Sequence, residues 1–329
     1  MAYVTLAAGL SLLLICGDAL VRGAVALAVR LNIPTLVIGL TVVAFGTSAP
    51  ELVVSLRAAL AGSPGIAIGN VVGSNIANVL LVLGVPALIC ATNCDQPLIK
   101  RNMVYVLGAS VLFIWLCFFG PLTFWHGLVL FAFLVAFLID SGRRAKSSSS
   151  NSDVIGSETE EIIDDLAGMP QKGSLVALYL VVGIIGLKIG AYLTVISAVD
   201  IARTFGVSET TVGLTIVALG TSLPELATTV AAAMRGQCGI ALGNVLGSNL
   251  FNLLAIMGLT AMVVPVPVPG VLITTDLWVM LAASLVITPF IMKRLMITRT
   301  AGIAFVLCYV AYVVVAFLPR SAEMASYSH

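Results

Sequence analysis

Charged side chains are scarce in this sequence: 9% of its 329 residues are Asp, Glu, Lys or Arg, whereas 60% are hydrophobic. A soluble domain carries about 25% charged residues, so this composition excludes an ordinary soluble protein. Apolar runs of about 20 residues, the length that crosses roughly 30 Å of hydrocarbon, recur along the chain and favour helices over a barrel. We therefore predict an all-α integral membrane protein that resides in a lipid bilayer.

Histidine is also scarce: the sequence has two, His126 and His329, and neither lies in the duplicated segments described below. The sequence contains no glycine-rich loop of the kind that cradles phosphate groups. Its one extended polar stretch, residues 141–173, is too short for a nucleotide-binding domain. These absences argue against an enzyme, a bound cofactor, a nucleic-acid partner and an ATP-driven pump, and they leave the oligomeric state open.

The apolar runs predict ten transmembrane helices, at approximately 2–29, 35–60, 66–90, 103–119, 124–140, 175–198, 209–233, 239–264, 270–292 and 301–318. They divide the chain into a five-helix half at 1–140, a polar linker at 141–173 and a second five-helix half at 174–329. Because each half has an odd number of spans, the second half enters the membrane in the opposite orientation, as in an inverted-topology repeat. Twelve of the sixteen basic residues fall on the linker side, which predicts a cytoplasmic linker and external termini in a microbial plasma membrane.

A duplication is visible in the sequence itself. Residues 39–84 and 213–258 align without a gap at an offset of 174, with 26 of 46 positions identical. The first copy contains GTSAPE (Gly46 to Glu51) and GNVVGSNIAN (Gly69 to Asn78). The second contains GTSLPE (Gly220 to Glu225) and GNVLGSNLFN (Gly243 to Asn252). The chain is therefore built from two copies of one unit.

Each copy places a glutamate, Glu51 or Glu225, well inside an apolar run. A carboxylate near the bilayer centre costs at least a few kcal/mol, so two at equivalent points need compensation. A bound cation would provide it. The alternatives are a buried basic partner or a protonated packing group. Lys188 is the only basic residue deep in a span, and it has no counterpart in the first copy. It could snorkel or tether the sixth helix, and we favour the structural role.

Proline precedes each glutamate, as Pro50 and Pro224. Proline has no amide hydrogen, so the carbonyls of Gly46 and Gly220 lose their helical partners and become candidate ligands. The simplest alternative is an ordinary proline kink. Backbone carbonyls and hydroxyls near the kinks would supply further oxygen donors, from Ala44, Gly46, Thr47, Ser48, Ala218, Gly220, Thr221 and Ser222.

The helix after each glutamate carries one polar stripe, because Asn70, Ser74 and Asn78 recur every four residues, as do Asn244, Ser248 and Asn252. We assign the second and third members of each stripe to the site. Asn75 and Asn249 lie off the stripes and are interpreted as interhelical hydrogen-bonding residues. Gly69, Gly73, Gly243 and Gly247 form small-residue faces suited to close helix contact. All the candidate ligands are oxygen atoms, which Ca²⁺ and Na⁺ prefer, whereas Zn²⁺ would favour imidazole or thiolate.

These doubled motifs resemble the cation/calcium exchanger superfamily, most closely its microbial sodium/calcium exchanger branch, over essentially the full length of the chain. The resemblance implies alternating access by sliding of the first and sixth helices, with Ca²⁺ held by the two glutamates. It implies the ligands Ala44, Thr47, Ser48, Glu51, Ser74, Asn78, Ala218, Thr221, Ser222, Glu225, Ser248 and Asn252. Many exchangers of this kind have an aspartate at the position of Asn252.

The sequence therefore predicts a secondary antiporter that exchanges Na⁺ for Ca²⁺ through one midplane site. An antiporter of the same architecture that uses H⁺ as the counter-ion is a close alternative. A passive cation channel and a membrane scaffold are alternatives of a different class, although neither explains two carboxylates at matching depth in two opposed halves. The asparagine at position 252 leaves the number of Na⁺ per Ca²⁺ open.

Overall fold

The part of the protein that the structure describes is all-α, apart from one short two-stranded ladder and a single β-bridge between Leu122 and Val266. A computed structural model describes residues 2–96, 98–149, 169–205 and 218–317. The helices are α1 (Ala2–Leu31), α2 (Thr35–Thr47), α3 (Ala49–Leu60), α4 (Pro64–Ile89), α5 (Ile99–Cys117), α6 (Phe124–Ser149), α7 (Gly173–Thr204), α8 (Ala218–Thr221), α9 (Leu223–Met234), α10 (Cys238–Val263), α11 (Leu272–Met292) and α12 (Arg299–Phe317). Strands β1 (Thr92–Asn93) and β2 (Met296–Ile297) pair antiparallel outside the spans.

Eight of the described helices are long and apolar enough to cross a membrane, and α2 with α3 supplies a ninth span that is bent by 44°. Helix α9 is apolar but shorter. The predicted span at 209–233 begins outside the described residues, and so does most of the predicted linker, at 150–168. The described part of the chain is thus an all-α integral membrane fold, as the composition predicted.

The first helices of the two halves, α1 and α7, lie antiparallel against each other along most of their length. Glycines set this contact. A side chain at Gly9 would meet Thr194 and Gly190, whereas one at Gly23, farther along α1, would meet Leu180. Contact positions that rise along α1 and fall along α7 show that the two helices run in opposite directions. Opposite directions for two equivalent helices are what an inverted repeat requires.

A second close contact joins α2 to α10 and therefore links the two halves. An ideal Cβ on Gly243 would lie 2.5 Å from the carbonyl oxygen of Leu36, and one on Gly247 would lie 2.5 Å from that of Leu40. These glycines let two helix backbones touch, as their spacing predicted. The equivalent glycines of the first half, Gly69 and Gly73, meet no described atom within 4 Å of an added Cβ. The segment that corresponds to residues 35–43 of α2 is 209–217, which lies outside the described residues.

The most enclosed spans are α4 and α10, which carry the two polar stripes. Within their most apolar windows, 72% of α4 residues and 83% of α10 residues are buried, compared with 33% for α1 and α7. The main hydrophobic core packs around α4 and α10. Both helices widen locally into π-helix, at Asn78–Val82 and Phe251–Ile256. Such bulges often mark functional positions, and here they coincide with Asn78 and Asn252.

Candidate functional site

Each repeat contains a helix break directly before its buried glutamate. Helix α2 ends at Thr47 and α3 begins at Ala49, while Ser48 between them has φ −81° and ψ 2°. The second repeat repeats this geometry at Ser222, with φ −88° and ψ 2°. Proline at the second position of each following helix removes an amide that would have continued the ladder. The predicted kinks are therefore true interruptions, and they place a serine hydroxyl and a glutamate on adjoining turns.

The two glutamates lie deep in the protein, and each residue is 1% exposed. Ser48, three residues before Glu51, donates to the Glu225 carboxylate, so both glutamates lie in one region of the protein. Among the described residues, no arginine or lysine forms an ion pair with either carboxylate. One oxygen of each, Oε2 of Glu51 and Oε2 of Glu225, has no hydrogen-bond donor. Two buried and partly unsatisfied carboxylates at this depth are candidates for binding a cation.

Hydrogen bonds join each GTS segment, residues 46–48 or 220–222, to the opposite half of the protein. The Ser48 hydroxyl donates to Oε1 of Glu225 at 3.1 Å. The Thr47 hydroxyl lies 3.1 Å from Oδ1 of Asn244, and the Thr221 hydroxyl lies 3.5 Å from Oδ1 of Asn70. The two threonine–asparagine contacts are the same contact made twice with the repeats exchanged, as expected where two equivalent units meet about a two-fold relation.

Asn70 and Asn244 take a larger part than the sequence indicated. The amide of Asn244 donates to the Thr229 hydroxyl at 3.0 Å and to the backbone carbonyl of Glu225 at 3.3 Å. The amide of Asn70 donates to Ser55 at 3.1 Å, and Ser55 is the repeat equivalent of Thr229. Both asparagines therefore hold the threonines and the helix of the adjacent glutamate in place. The four-residue spacing of the stripes contained this signal, but we assigned only the later members of each stripe to the site.

Of the two off-stripe asparagines, Asn249 links two helices as predicted, whereas the prediction was wrong for the Asn75 side chain. Asn78 donates to Oδ1 of Asn249 at 3.1 Å, and Asn249 donates to the backbone carbonyl of Asn75 at 3.4 Å. The Asn75 amide instead bonds within its own helix, to Val71. Asn249 thus joins α10 to α4. Oδ1 of Asn78 has no donor among the described residues.

Unpartnered buried polar atoms converge on the predicted ligands. Eight such side-chain atoms occur among the described residues, and all eight are oxygens. Six belong to predicted site residues: Glu51, Asn78, Ser222, Glu225, Ser248 and Asn252. The other two are on Asn75 and Thr260. Buried polar atoms normally have partners, so a concentration of unmatched oxygens fits a candidate cation site.

The remaining predicted ligands are also buried, and their contacts differ. Ser74 is 4% exposed. The backbone carbonyl of Ala44 accepts the Ser48 amide at 2.9 Å and lies 3.3 Å from the Thr47 hydroxyl, so it already has donors. Ala218 begins the short helix α8, directly after residues outside the described part. The carbonyl role predicted for Ala44 and Ala218 stays a prediction.

The donor set fits a hard cation. In the described residues there is no group of three or more His, Cys, Asp and Glu side chains that could hold a metal. What the site offers is two carboxylates surrounded by hydroxyl and amide oxygens, which suits Ca²⁺ and Na⁺. Fold and candidate site together define an integral membrane protein of the cation-transporting class.

Comparison with known proteins agrees with this class. The family model described as "Sodium/calcium exchanger protein" matches residues 1–141 and 175–318. Inner membrane protein YrbG of Escherichia coli strain K12 is 35% identical over 299 residues, which cover 89% of this chain and 90% of that protein. Sodium/calcium exchanger MaX1 of Methanosarcina acetivorans is 34% identical over 343 residues, covering 96% of this chain and 98% of that protein.

Solved structures of the sodium-calcium exchanger NCX_Mj have the same fold. The structure soaked with 2.5 mM Na⁺ and 0.1 mM Ca²⁺ superposes with a TM-score of 0.80 at 30% identity, covering 97% of this chain and 99% of that one. This chain therefore belongs to the sodium/calcium exchanger family, and it is a cation antiporter of the membrane.

Proposed function

We propose that this antiporter exchanges Na⁺ for Ca²⁺, and that both ions bind in turn at a site built around Glu51 and Glu225. The observation that carries the proposal is the set of unpartnered buried oxygens, which come from both halves and include an oxygen of each glutamate. A cation would satisfy them. The relatives named as sodium/calcium exchangers support the choice of ions.

Charge balance explains why exchange would be obligatory. With both glutamates ionised the site carries a formal charge of −2, which one Ca²⁺ or two Na⁺ would neutralise. An empty site would leave two uncompensated charges in a dehydrated interior, and moving that state across the membrane is costly. Only loaded carriers then pass between the outward-open and inward-open states. The two ions are coupled because they compete for the same carboxylates.

Isotopic calcium uptake into liposomes that contain the purified protein tests this proposal. An outward Na⁺ gradient, with equal pH on both sides, should drive calcium uptake above equilibrium, and removing sodium should stop it. Uptake driven by a pH gradient without sodium would instead identify H⁺ as the counter-ion. Calcium flux with no counter-ion would indicate a channel, and either result would overturn the Na⁺/Ca²⁺ proposal.

Replacing Asn252 by aspartate should change the sodium dependence of transport. Oδ1 of Asn252 is buried and has no hydrogen-bond donor among the described residues. A third carboxylate there would make the formal charge of the site more negative, from −2 to −3, without a steric penalty. We expect a steeper sodium dependence of calcium uptake, because an additional Na⁺ is needed for neutrality. Sodium titrations of initial calcium uptake rates in proteoliposomes measure this.

Asn75→Asp is the matched control for that variant. Oδ1 of Asn75 is also buried and unpartnered, but its amide bonds within α4 and we place it outside the ligand set. The Asn75 variant should keep the wild-type steepness. If Asn252→Asp transports with the sodium dependence of the wild type, position 252 does not belong to the site.

A further inference from the structure

Helix α7 passes over both of the interrupted GTS segments. On one side the glycine of the first segment, Gly46, lies directly under Ile184, so that an ideal Cβ there would be 2.6 Å from Cδ1 of the isoleucine. On the other side Gly220, the equivalent glycine of the second segment, lies under Val195. One face of α7 therefore bridges the two halves at the residues that precede the candidate ligands.

Lys188 lies on this same face. Positions 184, 188, 191 and 195 are separated by four, three and four residues, which is the spacing of a single helix stripe. Ile184 and Val195 are half-buried and Ala191 is buried, whereas Lys188 between them is exposed. The side chain is thus accessible from outside the protein at a point flanked by contacts with the two GTS segments.

Lys188 has no ion-pair partner among the described residues, so no carboxylate holds its ammonium group in place. Its position on the stripe, between Ile184 over Gly46 and Val195 over Gly220, directs the charge toward the part of the protein that contains the two glutamates. The equivalent position in the first half is Leu14, an exposed apolar residue, so the fold does not require a cation there. Lys188 also lies near the middle of α7, with about 23 Å of helix on either side. That position is unfavourable for snorkelling to an interface.

We propose that Lys188 is a built-in cation of the transport site, which offsets part of the charge of the glutamate pair and so lowers the affinity for transported cations. It tunes specificity from beside the site and is not itself a ligand. This proposal rests on the proposed function, since it assigns to Lys188 a role in the binding of the same ions.

Lys188→Met provides the test, in proteoliposomes assayed for sodium-driven calcium uptake. Loss of the ammonium should lower the half-saturating Ca²⁺ concentration by roughly tenfold, because the attraction between the site and a divalent ion is no longer offset. Lys188→Arg should stay near the wild-type value, since it keeps the charge. Lys188→Gln repeats the measurement with a polar neutral side chain if the methionine variant does not fold.

A double variant, Lys188→Met with Ile189→Lys, separates charge at the site from charge at that depth of the membrane. Ile189 is exposed and lies one residue farther along α7, about 100° round the helix and off the stripe. If Lys188 acts on the site, the double variant should behave like Lys188→Met. Wild-type calcium affinity in the neutral variants, or its restoration by Ile189→Lys, would overturn the proposal. Absence of sodium-driven uptake in the wild type would instead refute the proposed function.

Discussion

Replacing either Glu51 or Glu225 by glutamine should abolish calcium exchange while leaving the protein folded. Each glutamate is 1% exposed and has a carboxylate oxygen without a donor among the described residues, so in the proposed site each supplies charge that a bound Ca²⁺ needs and that glutamine cannot replace. Removing one charge from a buried pair of opposite charges, here a carboxylate and the bound Ca²⁺, costs about 3 kcal/mol or more. That cost corresponds to roughly a 100-fold or greater loss of calcium affinity. Initial rates of isotopic calcium uptake and thermal unfolding midpoints measure both parts of the expectation.

The thermal stability of the glutamine variants should not fall with their transport activity. With no cation bound, each glutamine variant relieves the repulsion between two buried carboxylates, so its melting temperature without calcium should equal or exceed that of the wild type. Added calcium should stabilise the wild type and not the variants, since a ligand that binds the folded state raises its stability.

Thr260→Val is the matched control, because the Thr260 hydroxyl is another buried, unpartnered oxygen but lies outside the predicted ligand set. It should transport normally. Wild-type exchange by Glu51→Gln or Glu225→Gln would remove the glutamates from the site.

Gly243→Val should prevent correct packing of the two halves and eliminate transport. A Cβ at Gly243 would lie 2.5 Å from the Leu36 carbonyl oxygen and 2.9 Å from both Gly39 Cα and Leu40 N. All three are backbone atoms, which cannot turn aside as a side-chain end can. Overpacking costs typically about 1–3 kcal/mol, and more where backbone must move. We expect a lower melting temperature together with loss of calcium uptake, because α2 carries Thr47 and α10 carries its partner Asn244.

Gly270→Val is the control for that substitution, since nothing lies within 4 Å of a Cβ at Gly270. It should leave both melting temperature and transport unchanged. A Gly243→Val protein that melts and transports like the wild type would show that the close approach of α2 and α10 is not required.

Composition and the motifs found in both repeats predicted much of the fold and the helix breaks. Composition and run length predicted the all-α membrane fold, and the prolines after Gly46 and Gly220 predicted the helix breaks that the structure has at Ser48 and Ser222. The glycine pair at Gly243 and Gly247 predicted close helix contact. These features follow from local backbone chemistry, which a sequence pattern expresses directly.

The sequence could not predict the contacts that differ between the two repeats in the folded protein. Ser48 donates to Glu225, but the equivalent hydroxyl, on Ser222, has no partner in the part of the chain that the structure describes. A pattern that repeats cannot predict this asymmetry, because it belongs to one conformation of the assembled halves. The partnership of Asn70 and Asn244 with the threonines was missed for a related reason, since a stripe shows which residues share a face but not what lies opposite. Lys188 carries no repeated signal at all.

Locating the bound cation is the most direct test of a site centred on Glu51 and Glu225. Crystals of the protein soaked with Sr²⁺, a heavier analogue of Ca²⁺, would reveal the ion by its anomalous scattering. We expect a peak between the two glutamate carboxylates, within ligand distance of oxygens from both halves, that disappears when Na⁺ is raised. An ordered Sr²⁺ elsewhere in the membrane-spanning region, with no density at the glutamates, would contradict this assignment.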